Sequence, residues 1–236
     1  MTAPVRENWG HALNMLQDAG HTLMPVSLPT TPQALSAYYV LALAEASSNL
    51  AKYDGVRYGQ RAPGSDAKPK ENLPLYARTR GEGFGDEVKR RILLGAYALS
   101  SDAIDNYFIQ AQKIRRLVQQ DFDRVFAAQN PLLESQSSNG EQGVDVLLTP
   151  TAPTLPPTLA ELKQQSAVER YMLDVFTVPA SLAGLPALSV PVSFSEPTLA
   201  DREGPETSGA GMQLIGQFGC DETVLEAGKL IEALGR

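Results

Sequence analysis

An α/β fold is what this sequence predicts, and three observations predict it. Segments with helical periodicity alternate with short buried apolar runs along the whole chain. No clear linker interrupts that alternation and no internal repeat is visible. The 236 residues are 43% hydrophobic and 20% charged, an ordinary globular balance at a length that supports a sizeable core.

The elements follow in order. Glu7 to Ala19 has helical spacing, with Trp9, Ala12, Leu13 and Leu16 on one face and Gly20 as C-cap. His21 to Leu28 reads as a strand and Pro29 to Pro32 as a turn. Pro32 to Lys52 reads as a long helix capped by Thr31, with a small-residue run, Ala42 to Ala51, that permits close helix packing. Tyr53 to Gly59 is a turn, Gln60 to Leu73 a surface loop, and Leu75 to Arg80 a short helical piece. Gly81-Glu-Gly-Phe-Gly85 reads as a bend and Asp86 as the N-cap of a helix from Glu87 to Ser100. The strongest periodicity spans Asp102 to Ala128, a helix of about 40 Å at roughly 1.5 Å per residue. Asn130 to Gly143 is a polar loop. Val144 to Thr149 reads as a buried strand opening into a Pro-Thr-Ala-Pro pocket loop. Leu159 to Val178 is helical in part. Ala187 to Phe194 and Met212 to Phe218 read as strands around a Pro- and Gly-rich loop, Ser195 to Gly211, and Glu222 to Leu234 as a closing helix.

Composition excludes several functions. A net charge of −7 argues against a broad nucleic-acid surface, leaving only the local clusters Lys89-Arg90-Arg91 and Lys113-Ile114-Arg115-Arg116. The single cysteine, Cys220, forms no intrachain disulfide and suits a reducing compartment. His11, His21 and Cys220 lack metal-ligand spacing. The apolar runs are too short to span a membrane. Met1 to Gly10 lacks both an apolar signal core and an Arg-rich presequence, and reads as the middle of a domain.

Chemistry-bearing motifs are scarce. The chain has no Gly-x-x-x-x-Gly-Lys-Ser/Thr loop and no Gly-x-Ser-x-Gly elbow. Gly81 to Gly85 has the wrong spacing for a dinucleotide fingerprint. Asp121 and Asp123 read as a solvated helix face. The paired serines Ser47-Ser48 and Ser100-Ser101 fall on expected helices without flanking glycines and read as packing residues.

Several blocks taken together carry a resemblance. They are Tyr38-Tyr39 with Ala44-Glu-Ala-Ser-Ser-Asn-Leu50, Tyr53-Asp-Gly-Val-Arg-Tyr-Gly59, Gly81 to Ser101, Tyr107 to Asp123, Leu148-Thr-Pro-Thr-Ala-Pro153, Asp174 to Pro191 and Gly211-Met-Gln-Leu-Ile-Gly216. In order and spacing they resemble the C-terminal half of the amidase-signature family, in its branch of glutamyl-tRNA(Gln) amidotransferase A subunits, over nearly the whole chain. The resemblance implies the C-terminal portion of that α/β fold, a mixed β-sheet flanked by helices. Within it, about 32–129 forms a helical, pocket-forming region and about 144–236 a sheet-forming region. Family members hydrolyse amides with a Ser–Ser–Lys triad and a glycine-rich oxyanion loop, none of which matches here, so no catalytic residue is expected in this chain. The family's C-terminal half recognises glutamine. The resemblance places its carboxylate on Arg91, with Arg90 as the register alternative, its ammonium on Asp174, and Tyr38 or Tyr39 along the pocket.

It further implies no cofactor in this chain, with ATP and Mg used by a partner protein of the complex. The implied partners are B-type and C- or F-type amidotransferase subunits, with tRNA handled mainly by the partner and no membrane. The polar insertions Leu132 to Gly143 and Glu196 to Gly211 resemble fungal mitochondrial homologues, implying the mitochondrial matrix, or the cytoplasm for a bacterial chain. A general amidase fragment and a non-catalytic module binding the other amidotransferase components are the alternative readings.

Overall fold

The computed structural model describes residues 1–63, 76–133, 142–193 and 209–235. These fall into two compact units, one of Met1–Leu35 with Arg115–Arg236 and one of Ser36–Ile114. Most of the two polar insertions, and most of the loop from Gln60 to Leu73, lie outside the described residues.

The larger unit is built on an antiparallel sheet of order β1-β3-β2, with β1 Val146–Pro150, β2 Ala187–Ser193 and β3 Gly209–Gly216. Proline explains that order. Pro150 and Pro191 lack the N–H that a central strand must donate, so both sit on the outer strands. A lone parallel bridge pairs Phe126 with Val144 ahead of β1. β3 begins at Gly209, within the expected Ser195 to Gly211 loop.

One sheet face packs on helices α1 (Ala3–Asp18) and α9 (Asp221–Leu234). Ala12, Val190, Val192, Met212, Leu214, Val224 and Ile231 form that core, flanked by Trp9, Met15 and Leu16. The stretch expected to be helical in part holds the short helices α6 (Leu159–Gln164) and α7 (Ala167–Met172). α1 ends in a Schellman pattern, Gly20 donating to the Gln17 carbonyl and His21 to that of Leu16. The expected strand from His21 to Leu28 does not form. Its apolar residues Leu23, Met24 and Val26 are exposed, and among the described residues no strand pairs with it.

The longest expected helix is shorter than its periodicity suggested. α5 runs from Phe108 to Val125, 18 residues, or about 27 Å. Ser100 to Tyr107 forms turns instead, with N–H groups bonded three residues back at Ala103 and Asn106. Asp102 and Asn106 carry the short polar side chains that favour such turns. The pair Ser100-Ser101 therefore lies beyond the preceding helix.

Asp121 and Asp123 also depart from expectation, at 2% and 7% exposure. Asp121 accepts from the Thr30 N–H at 2.7 Å and pairs with Arg124. Asp123 accepts from Asn130 at 3.0 Å and from Gln217 at 3.3 Å. They fasten neighbouring segments to α5, whose buried Phe122 stacks on Phe126, just past the helix end, at 6.2 Å.

The Ser36–Ile114 unit is helical. It holds most of α2 (Thr31–Asn49), α3 (Ala77–Gly83) and α4 (Asp86–Ala98). Thr31 is already helical in α2, and Gly81 and Gly83 are helical in α3, where a bend was expected. Gly85, not Asp86, occupies the N-cap of α4, because Asp86 takes the first-turn position where an acid meets the helix dipole. The small-residue run does bring helices together. A Cβ on Gly95 would lie 2.0 Å from the Leu43 carbonyl oxygen, so α4 crosses α2 at backbone contact. In the turn after α2, Asp54 accepts from the N–H groups of Val56 and Arg57 at 2.9 and 3.0 Å. Those backbone donors, Val56 first, hold its carboxyl well below the usual carboxylate range.

Candidate functional site

The face of the sheet away from α1 carries a row of polar side chains. Gln213 is centred on β3, paired with Thr149 on β1 and Ser189 on β2. Directly paired residues point to the same face, and the alternation of a strand sends Met212 and Leu214 to the other. The Gln213 amide donates to Thr149 Oγ1 at 3.1 Å and to the Phe176 carbonyl at 2.9 Å. One step along, Thr151 and Ser189 share a hydroxyl hydrogen bond of 2.7 Å. Gly211 makes room for it, since a Cβ there would lie 2.9 Å from both oxygens.

Over this row lies the segment Asp174 to Gly184. Its first part is a turn in which the Asp174 carbonyl accepts from the N–H groups of Thr177 and Val178 at 3.1 and 3.0 Å. The six-residue helix α8 (Val178–Ala183) follows, ended by Gly184 at φ 80°. Its last carbonyls are met from α5: Arg115 Nε donates to Leu182 at 3.0 Å and Gln119 Nε2 to Ala183 at 3.1 Å. The segment is thus held by long polar side chains at Phe176 ahead of the Pro-Ala-Ser-Leu-Ala-Gly run and at Leu182 and Ala183 within its end. Arg115, itself exposed beside Lys113 and Arg116, makes this contact from the surface of α5.

The Asp174 side chain is exposed. Beside it, Leu173 lines a cleft of about 280 Å³ with Thr151, Thr154, Leu155 and Pro157 from the loop after β1 and Gly211 from β3. The pocket loop expected after β1 lies here.

Arg91 and Tyr38 belong to the Ser36–Ile114 unit, on α4 and α2, the helices that meet at Gly95 and Leu43. Arg91 is exposed, and its Nε donates to Glu87 Oε1 at 2.9 Å. Arg90 pairs with the other oxygen of the same carboxylate. The Arg91 hydrogen bond foremost, with the charges of both arginines, lowers the Glu87 carboxyl against an opposing effect of burial. One acid therefore gathers both register alternatives. Tyr38 is half-buried and meets the Tyr39 ring edge-on at 5.4 Å. Among the described residues no group of three His, Cys, Asp or Glu side chains is placed to hold a metal ion, and no helix is long and apolar enough to cross a membrane.

Sequence reasoning missed Gln213, Arg115 and Gln119. One signal was available for the first, an amide inside the otherwise apolar run Met212 to Ile215, since a buried polar group demands partners.

Comparison with known proteins agrees with this architecture. The family model described as Amidase matches residues 1–225. The chain is 58% identical over 240 residues to the A subunit of the mitochondrial glutamyl-tRNA(Gln) amidotransferase of Coccidioides posadasii, covering 98% of this chain and 46% of that protein. It is 57% identical over 238 residues to the corresponding protein of Emericella nidulans, covering 97% and 46%. The chain thus spans about half the length of the curated relatives it matches. Among solved structures, the A subunit of the glutamyl-tRNA(Gln) amidotransferase of Thermotoga maritima superposes with a TM-score of 0.57 at 30% identity, covering 95% of this chain and 37% of that one. A 6-aminohexanoate cyclic dimer hydrolase shares the fold with a TM-score of 0.64 at 14% identity, covering 100% and 42%.

Proposed function

The chain belongs to the amidase family, and on that premise we propose that it forms the glutamine-recognising, C-terminal part of the A subunit of a tRNA-dependent amidotransferase. The carrying observation is identity of 57–58% to fungal mitochondrial A subunits over 97–98% of the chain. In this reading a guanidinium, Arg91 or its neighbour Arg90, takes the α-carboxylate of glutamine, and Asp174 takes the α-ammonium. Tyr38 or Tyr39 lines the pocket. Fixing both charged ends sets the position of the side-chain amide, which a simple neutral amide cannot match. The exposed carboxylate of Asp174, on a turn fastened to the sheet, supports its role.

The nucleophile and its Ser–Lys relay come from a segment beyond these residues, so the 236-residue chain alone is inactive. The ammonia released from glutamine passes to partner subunits, of B-type and C- or F-type. They use ATP and Mg to convert Glu-tRNA(Gln) into Gln-tRNA(Gln), the tRNA being held mainly by the partner. The site of action is the mitochondrial matrix, a reading supported by the relatives' being named mitochondrial.

The test is a chimera in which residues 1–236 replace the matching part of a fungal mitochondrial A subunit, assembled with that protein's own partners. The reading predicts glutamine hydrolysis and Gln-tRNA formation, with roughly 10- to 100-fold higher KM for glutamine in Asp174→Asn and Arg91→Met, the loss of one hydrogen bond to a charged group each. A chimera that hydrolyses a neutral amide as readily as glutamine contradicts it. Glutamine turnover by the 236-residue chain alone, abolished by Asp174→Ala, overturns the claim of inactivity.

A further inference from the structure

We infer that Gln213 is a positioning residue for Asp174, setting where the ammonium-binding carboxylate stands without touching the substrate. The inference rests on the assignment of Asp174 above.

Gln213 is 4% exposed, at the centre of the sheet and far from any free choice of rotamer. Its amide nitrogen carries two hydrogens, and both are spent: one on Thr149 Oγ1 at 3.1 Å, one on the Phe176 carbonyl at 2.9 Å. Phe176 lies two residues past Asp174, inside the turn. That turn is closed on itself, because the Asp174 N–H donates to Tyr171 and its carbonyl receives Thr177 and Val178. A closed turn moves as a body, so an anchor at Phe176 fixes Asp174 as well. The anchor reaches across 37 positions of sequence to the middle strand of the sheet.

The chemistry at position 213 is specific. A carboxamide presents two donors on one atom, which a hydroxyl and a carbonyl both require. A Glu carboxylate would face the Phe176 carbonyl with acceptors alone. Leu keeps the bulk but leaves the part-buried Phe176 carbonyl without its donor, and an unpaired carbonyl shifts to find another. Either change moves the turn rather than removing the carboxylate.

The test uses the assembled chimeric complex with Gln213→Leu, Gln213→Glu and Asp174→Asn. Three amides are compared: glutamine; glutaramate, which lacks the α-amino group; and 4-aminobutanamide, which lacks the carboxylate. The expected result is a glutamine KM raised roughly 10-fold in Gln213→Leu, with kcat within about 3-fold of the parent. The glutaramate KM should be unchanged, because that substrate never used Asp174, and the KM for 4-aminobutanamide should rise with that for glutamine. Asp174→Asn should show the same pattern more strongly. General damage to the fold would raise all three values together, and that outcome overturns the proposal. So does a glutamine KM unchanged in both Gln213 variants while Asp174→Asn raises it, which leaves the Asp174 assignment standing. A glutamine KM untouched by Asp174→Asn overturns both. Should Gln213→Glu fail to assemble, Gln213→Leu alone decides, with its thermal midpoint recorded beside KM.

Discussion

Arg91 makes a local ion pair. Its carboxylate partner, Glu87, is one helical turn away, shared with Arg90, and all three side chains stand at the surface of α4. Around Asp174 the holding contacts are long-range. The turn that carries it is held by Gln213 from β3, and α8 beyond it by Arg115 and Gln119 from α5. The two charges proposed to grip one ligand are thus set by different means. A helix-surface arginine is flexible and can exchange Glu87 for a ligand carboxylate. The turn at Asp174 is preorganised, and its placement depends on the sheet.

The contrast can be broken at several points. The largest expected effect lies beneath Arg91, where Gly95→Leu would drive a side chain into the Leu43 carbonyl, 2.0 Å from the position of its Cβ. Chemical unfolding should show a loss of about 3 kcal/mol or more, since backbone on both sides must separate. Next comes the α8 anchor. Arg115→Ala with Gln119→Ala removes two hydrogen bonds from helix-terminal carbonyls and should cost about 2 kcal/mol by the same measurement. Gln119→Ala alone should cost about 1 kcal/mol.

Acid gives a third probe, on the turn after α2. The carboxyl of Asp54 is depressed below its ordinary value of 3.8 by the N–H groups of Val56 and Arg57. A depressed carboxyl stabilises the fold fully above that ordinary value and loses its contribution as pH falls beneath it. Unfolding followed from pH 7 toward pH 2 should therefore fall more steeply in the parent than in Asp54→Asn, which keeps an acceptor but no longer titrates. The smallest effect is expected at the exposed pairs of α4. Glu87→Gln should leave the thermal midpoint within about 1 °C. It should also lower the glutamine KM no more than about 3-fold, as Arg91 gives up an exposed competitor.

This difference also decides what could be read in the sequence. α1, α9 and the three strands announce themselves by periodicity and by runs of apolar residues, and α2 and α4 by the start signals Thr31-Pro32 and Gly85-Asp86. Asp174 and Arg91 could be named from the resemblance because they sit inside compact blocks. Gln213, Arg115 and Gln119 lie inside such blocks too, but their partners lie 37, 67 and 64 positions away, and the one local signal is the Gln213 amide within an apolar run. Asp121 and Asp123 misled for the same reason. Charged residues two apart on a polar helix resemble a wet surface until Thr30, Asn130 and Gln217 arrive from elsewhere. His21 to Leu28 misled in the opposite direction, since an apolar run becomes a strand only where a neighbour offers a ladder.

The central claim is that one ligand is gripped by Arg91 at its carboxylate and by Asp174 at its ammonium. The most direct measurement is the specificity constant kcat/KM of the chimeric complex for glutamine and 4-aminobutanamide, in the parent and in Arg91→Met. The parent should prefer glutamine by roughly 10- to 100-fold, the worth of one charge-assisted contact. Arg91→Met should erase most of that preference, by losing glutamine turnover rather than gaining the other. A preference that survives Arg91→Met intact would contradict the claim and transfer the carboxylate to another residue, with Arg90 the first to test.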